Sequence, residues 1–392
     1  MKSKVFHRDI WLILVANFFY AACSTAVLPI IAGFSESLGA SAALMGMIGG
    51  MMNLCSLFCR PLAGNLADKI SKYKLSLMGS GLMGAGCVVC ALAQNPLAVA
   101  CGRLVTGVGF AMCSVCISTW MSNMLPRDKV GSGMGLYGMA NALANAVAPS
   151  FSVTIWEHFG YRAALWTAAA YAAAVAVLVS LVRDKGEPAP SALTNTRLKV
   201  IEWRIFPIAC ITMLISIPYF ATQSFLVSYT AAKGLDLSIN LFFPTYAFVL
   251  LILRFSLKDF FDKLPFRILI TCSILCGAVG MLLLATLSSN VGLLLAAACM
   301  AGGYGLMCSI CQSTAILLAG EGRRGIANST YYVGIDLGMM LGPVIGGLLY
   351  GQLPVQLFYP VLLLTAPAAL AIAWLNASCR VGSASTAPSN RV

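Results

Sequence analysis

Long stretches without a single Asp, Glu, Lys or Arg dominate the chain: Ile10 to Phe34, Ser37 to Cys59, Leu75 to Gly102, Leu104 to Pro126, Val130 to Trp156 and Ile268 to Gly320 among them. An α-helix needs about 20 apolar residues to cross the hydrocarbon core of a bilayer, and most of these runs are that long or longer. Only 10% of the 392 residues are charged and 59% are hydrophobic, whereas a water-soluble domain carries about 25% charged residues. No soluble core could hide so much apolar surface, so the expected fold class is an all-α membrane protein solvated by lipid.

Turn signals divide the longest runs at Gln94-Asn95-Pro96, Ser288-Ser289-Asn290 and Gly351-Gln352-Leu353-Pro354. The division predicts twelve transmembrane helices, near 10–34, 40–62, 75–93, 97–122, 130–155, 163–182, 204–231, 238–256, 266–287, 291–318, 325–350 and 355–376. Lys and Arg are retained on the cytoplasmic side. With the N-terminus inside, all of them except Arg103, Arg162 and Lys233 fall in or beside cytoplasmic segments. The expectation is a multi-pass protein of the cell inner membrane with both termini cytoplasmic. The net charge of +12 is then a topology signal, and no nucleic-acid partner is implied. Lys2, Lys4 and Arg8 before the first apolar run imitate a secretory signal, but the run is too long and lacks a small-residue cleavage pattern, so a retained first helix is expected.

The chain also reads as written twice. Shifted by 194 to 195 residues, Met112-Cys113-Ser114 falls on Met307-Cys308-Ser309, Cys116 on Cys311 and Ser118-Thr119 on Ser313-Thr314. Arg60 meets Arg254, Asp68-Lys69 meets Asp262-Lys263, Gly131 meets Gly325, Tyr137 meets Tyr331 and Pro149 meets Pro343. A polar segment with Pro188 and Pro190 separates six predicted helices from six. The expected organisation is an N-terminal six-helix half over 1–182, a cytoplasmic linker over 183–204, a C-terminal six-helix half over 205–380 and a disordered tail over 381–392. Transporters use such parallel repeats to place a binding site near the membrane midplane.

Gly64-Asn65-Leu66-Ala67-Asp68-Lys69-Ile70-Ser71-Lys72-Tyr73-Lys74, between the second and third spans, resembles the G-x-L-A-D-R-x-G-R-K signature of the major facilitator superfamily, with Ser71 in place of the second Gly and Tyr73 in place of a basic residue. The resemblance extends over roughly 10–376 and implies the twelve-helix fold of that family. Gly64 is read as supporting a short turn, and Asp68 as a carboxylate placed to meet the positive end of a helix dipole. In the family this loop, here Gly64, Asp68, Lys69 and Lys72, is a gate that latches the halves on the cytoplasmic side; the resemblance implies that Asp68 faces the start of the eleventh helix near Gly325.

The fourth span carries Arg103-Leu104-Val105-Thr106-Gly107-Val108-Gly109, similar to the family's R-x-x-x-G-x-G segment. A guanidinium inside a spanning helix costs about 2.5–3.5 kcal/mol on insertion scales. Arg103 is expected either to face protein or a water-filled cavity, serving substrate or proton handling, or to snorkel outward as a structural residue. Thr106, Phe110 and Cys113 share its helical face by spacing. The eleventh span contains Gly338-x-x-x-Gly342-Pro343-x-x-Gly346-Gly347, a helix-packing pattern that resembles one found on the fifth helix of antiporters in this superfamily. The repeated Cys-x-x-Cys pairs sit on equivalent helices. Metal binding would want more ligands, and only His7 and His158 exist, both outside the predicted core. Small apolar packing is the expectation for these cysteines, with cavity lining as the alternative.

No Gly-Lys dipeptide occurs, so there is no Walker A phosphate loop. No cofactor is expected, and the proton gradient is the expected energy source. Asp336 is the one carboxylate near the centre of a predicted span, and an intramembrane acid is a functional candidate by default. It is read as the proton carrier, with Arg103 as a second coupling residue; hydrogen bonding to Ser329, Thr330 or Tyr332 would instead make it structural. The family's cavity-lining helices imply a substrate cavity built from Asn17, Tyr20, Arg103, Phe110, Cys113, Tyr219, Gln223, Tyr304 and Gln312, suited to a small amphipathic or anionic molecule. The resulting expectation is a monomeric, non-enzymatic secondary transporter that exports a drug or metabolite in exchange for protons. An importer of a sugar or organic acid is the alternative, and a membrane sensor without flux a more distant one.

Overall fold

The computed structural model describes residues 7–188, 200–235, 237–257, 264–320 and 322–376, and every regular element among them is helical. In chain order these are α1 (Arg8–Ser37), α2 (Ala42–Lys69), α3 (Lys72–Leu92) and α4 (Pro96–Met124). A continuous run, Val130–Ser180, follows; it is broken at Gly160 into α5 (130–159) and α6 (161–180). Then come α7 (Phe206–Ala232), α8 (Phe242–Ser256), α9 (Phe266–Ala285), α10 (Asn290–Ala319), α11 (Arg324–Gln352) and α12 (358–375). The twelve helices answer to the twelve expected spans. The tail over 381–392, residues 189–199 of the expected linker, and Asp262-Lys263 lie outside the described residues.

The chain's own chemistry sets the helix ends. Asn95 accepts a hydrogen bond from the Ala98 amide at 2.9 Å, with Pro96 as first helical residue, and Ser289 accepts one from Gly292 at 3.2 Å. Both are N-caps that satisfy amides left without an intrahelical partner. Gly160 has φ 82°, a conformation that only glycine adopts freely, and it lets α5 turn directly into α6.

Two compact units divide the described residues. The first lies within Met1–Pro126, Leu136–Ile201 and Gly320–Ser329; the second lies within Arg127–Gly135, Glu202–Ala319 and Thr330–Val392. In the first unit, α3 and α4 meet through glycine. A Cβ on Gly86 would lie 2.6 Å from the Gly102 oxygen, and one on Gly109 would lie 2.5 Å from the Gly79 oxygen. In the second unit, α11 meets α7 through its glycine pattern: a Cβ on Gly338 would lie 3.0 Å from the Met213 oxygen, on Gly342 2.8 Å from the Ile217 oxygen, and on Gly346 2.9 Å from the Phe225 ring. Gly347 has only ordinary contact, with Phe225 at 3.5 Å. The pattern therefore works as a packing seam within its own unit. Away from such seams, large apolar side chains such as Phe58, Leu97, Phe248 and Leu375 are exposed, as lipid-facing residues of a multi-pass membrane protein are.

The repeat explains an irregularity in α10. Arg60 and Arg254, Gly131 and Gly325, and Tyr137 and Tyr331 are 194 residues apart, but Cys113 and Cys308 are 195 apart. One extra residue has entered the second copy upstream of Met307. An insertion into an α-helix rotates everything beyond it by about 100°, unless a wider turn absorbs it. Ala301–Gly305 is such a turn, a π-helix in which bonds run i→i+5. Tyr304, 194 residues from Phe110, thus keeps its facing while the Cys-Ser-Thr stretch stays in phase one residue later.

Two alanine substitutions should move stability in opposite directions. Gly342→Ala forces a Cβ against the α7 backbone and should cost about 1–3 kcal/mol. Gly81→Ala, in mid-α3 with nothing within 4 Å of the new atom, should gain about 0.5–1 kcal/mol. Thermal melting of the purified variants in detergent reads both; equal shifts would remove the seam from the account of α7–α11 packing.

Candidate functional site

Spacing along α4 suggested one functional face, and the structure distributes that face among three neighbours. Arg103 is 1% exposed. Its Nε donates to the Ile48 carbonyl at 3.4 Å and an Nη to the Gly49 carbonyl at 3.2 Å, both on α2. It therefore points into protein and does not snorkel. Thr106 packs against Gly86 of α3. The Cys113 thiol donates to the Ser76 carbonyl of α3 at 3.7 Å, and Cys116 donates to Lys72 at 3.2 Å, so the first Cys-x-x-Cys pair fills the α3–α4 seam. Asn17 is fully buried and donates to the Tyr137 carbonyl at 2.9 Å, which ties α1 to α5. Of the residues suggested as first-half cavity lining, Arg103, Cys113 and Asn17 are thus engaged in helix–helix contacts.

Tyr20 and Phe110 do come together, with stacked rings 5.4 Å apart. Beside them is a residue that the charge pattern had assigned to a helix end near a loop. Arg60 of α2 is 1% exposed; its guanidinium lies 5.4 Å from the Phe110 ring centre and donates to the Ser114 hydroxyl.

The second unit repeats this layout with different chemistry. Tyr219 of α7 stacks on Tyr304 of α10 at 4.0 Å with 10° between the planes, and Tyr246 of α8 lies 5.2 Å from Tyr219. Arg254 of α8 is 6% exposed and donates to the Gly305 carbonyl, in the π turn, at 2.8 Å. Tyr331 closes the group by donating to the Cys308 carbonyl at 2.8 Å. Gln312 donates to the Tyr332 hydroxyl at 3.0 Å, while Gln223 is exposed. Arg60, Arg254, Tyr246 and Tyr331 are candidate site residues that sequence reasoning missed. The available signal was that both arginines, and Tyr331, recur at the repeat offset.

Gly64 to Asp68 do not form a turn; they are the last turns of α2, and the connection to α3 is only Ile70 and Ser71. Gly64 serves close approach, since a Cβ there would lie 3.1 Å from both the Gly325 oxygen and the Ile326 Cα. Asp68 accepts from the Gly325 amide at 2.7 Å and from the Ile326 amide at 3.0 Å, a carboxylate capping the first turn of α11 as the resemblance implied. The same end of the unit holds the first linker residues: Lys72 donates its amide to Gly186 at 2.9 Å, Ser71 its hydroxyl to Lys185 at 2.8 Å, and Asp9 accepts from the amides of Arg183 and Asp184 at 3.1 Å each. Lys72 is buried and Lys69 half-buried. Asp336 is 4% exposed, in the middle of α11.

The sequence profile described as Major Facilitator Superfamily matches residues 13–331 and 208–390. The uncharacterized MFS-type transporter YhhS of Escherichia coli is 23% identical over 387 residues, covering 93% of this chain and 91% of its own. The uncharacterized MFS-type transporter YhcA of Bacillus subtilis is 31% identical over 102 residues, which is 26% of this chain and 19% of YhcA. Among solved structures, the transporter FucP in the outward conformation matches with TM-score 0.77 at 14% identity, over 95% of this chain and 99% of FucP. The proton:xylose symporter XylE matches with TM-score 0.73 at 14% identity, over 94% of each chain. Likeness at such identity concerns the fold and leaves the cargo open.

Asp68 lies past the apolar span that ends near residue 62, and its titration can be followed. Burial raises its carboxyl from 3.8 to about 6, against the opposing pull of the Gly325 and Ile326 amides and the charges of Lys72 and Arg323. A carboxyl that holds its proton more tightly when folded contributes stability fully below the unfolded value, and loses that contribution as pH rises through the folded one. Asp68→Asn does not titrate. The melting temperature of the wild type relative to Asp68→Asn should therefore fall between about pH 4 and pH 6; a constant difference would show that Asp68 does not titrate there.

Proposed function

The chain belongs to the Major Facilitator Superfamily, and from that premise we propose that it is a secondary active transporter that exports a small amphipathic compound in exchange for protons, with Asp336 as the proton carrier. The observation that carries the reading is Asp336 itself. Among the described residues the other buried carboxylates, Asp9 and Glu202, lie in the first turn of α1 and just before α7; Asp336 alone sits at mid-helix. A carboxylate there is costly unless it works or is paired. A carboxyl that meets water from one side and then the other can take up a proton where protons are abundant and release it where they are scarce.

Helix α11 connects this acid to the gate. Gly325, held by Asp68, and Asp336 are eleven residues apart on one helix, about 16 Å at 1.5 Å per residue. A change at the capped first turn and a change in protonation at Asp336 therefore act on a single rod. The glycine pattern that follows Asp336 resembles one that antiporters carry on their fifth helix and here packs α11 on α7, and the distribution of Lys and Arg supports cytoplasmic termini. The proposed working unit is a monomer.

The test is flux into and out of proteoliposomes under an imposed pH gradient, with trapped pH dye reporting proton movement. Export predicts that a cargo moves against its gradient as protons run the other way. Asp336→Asn should abolish gradient-driven flux and spare cargo-for-cargo exchange. Proton and cargo moving in the same direction would make the protein an importer, and unchanged gradient dependence in Asp336→Asn would remove that residue from coupling.

A further inference from the structure

The two arginines at the repeat offset are solved differently. In the first unit the pair closes on itself: Arg60 donates to Ser114. In the second, the counterparts are Arg254 and Ser309, and neither end is made. Arg254 uses one Nη on the Gly305 carbonyl, while its Nε and other Nη have no partner; the Ser309 hydroxyl, 2% exposed, has none either. The tyrosines of the group, Tyr219, Tyr246, Tyr304 and Tyr331, carry no charge at pH 7. A buried guanidinium with two of its donor nitrogens idle is rare in native proteins. Its planar fork matches a carboxylate bidentately.

Around this cation stand flat aromatic faces. Tyr219 and Tyr304 are stacked, Tyr246 and Phe220 flank them at 5.2 and 5.6 Å, and Tyr219 and Tyr304 are half-buried. The π turn is what puts Arg254 there, because it presents the Gly305 carbonyl that anchors one edge of the guanidinium and leaves the other edge unbound. Wider turns of this kind occur frequently at functional sites.

We propose that Arg254, with Ser309 and the Tyr219–Tyr304 stack, binds an organic anion: a carboxylate takes the idle edge of the guanidinium and an aromatic or conjugated body lies against the tyrosines. This rests on the transporter reading, and names the class of its cargo as carboxylic acids. The site lies wholly within the second unit.

The experiment is thermal melting of the full-length protein in detergent with matched probes: phenylacetate, 4-hydroxybenzoate and cinnamate, each beside its uncharged amide, with benzylamine as cation and inorganic phosphate as an anion without a body. At least one acid should raise the melting temperature while its amide and benzylamine do not. Arg254→Gln should weaken that acid roughly ten- to a hundredfold, as expected for losing a hydrogen bond to a charged group; Arg254→Lys should keep part of the effect, and Ser309→Ala should weaken it less. If the Arg254 variants do not fold, the acid–amide comparison in the wild type together with Ser309→Ala decides. Silence from all three acids, equal shifts from acids and amides, or an undiminished acid shift in Arg254→Gln or Ser309→Ala overturns the proposal. Gradient-driven flux of a neutral or cationic compound with silent acids would sink the anion site and leave the transporter standing; acid binding without flux of any compound would do the reverse.

Discussion

Helices dissolved in lipid gain nothing by hiding apolar faces from one another, because the solvent is as apolar as they are. What can bind them is close contact between backbones, and this chain obtains it with glycine. Gly86 and Gly109 bring α3 onto α4, and Gly338, Gly342 and Gly346 bring α11 onto α7, at separations where a single methyl group would collide with a backbone oxygen or a ring. The rest of the structure depends on these approaches. They hold the helices that carry Asp336, Tyr219 and the α4 polar residues in register, and they let helices made of Leu, Val and Ala be specific about their partners.

Within that frame the expensive groups are the buried charges, and each has a separate solution. Arg103 is held by the second lone pairs of α2 carbonyls. Arg60 has a serine hydroxyl and the face of Phe110. Asp68 has two amides of a helix N-terminus. Arg254 has one carbonyl and neutral tyrosines. The duplication makes the contrast informative: the same arginine, at the same place in two copies of one design, is closed in the first and left half-open in the second. A one-residue insertion, taken up as a π turn, accompanies the divergence.

Much of this architecture is legible in the sequence, since length and absence of charge decide which segments cross a bilayer. The twelve spans, the breaks at Asn95 and Ser289, and the capping role of Asp68 at Gly325 all follow from local composition or from a short motif. Gly64 shows the limit. A glycine in a polar segment reads as a turn, but here it is helical, because its missing side chain is needed by a segment more than 250 residues away. Arg60 shows another. Positive charge near a span end reads as a loop marker, yet a long helix carries it inward to Ser114.

The linear order of residues by itself determined that the chain must be helical and membrane-embedded, and that it is doubled, since hydropathy and repetition are properties of neighbours along the chain. Only the tertiary structure decided which polar groups face each other. Arg103, Thr106, Phe110 and Cys113 share one side of α4 by spacing, but three other helices surround that side. Whether a buried donor meets a carbonyl, a hydroxyl or nothing is set by atoms distant in sequence, and no periodicity along one helix encodes it.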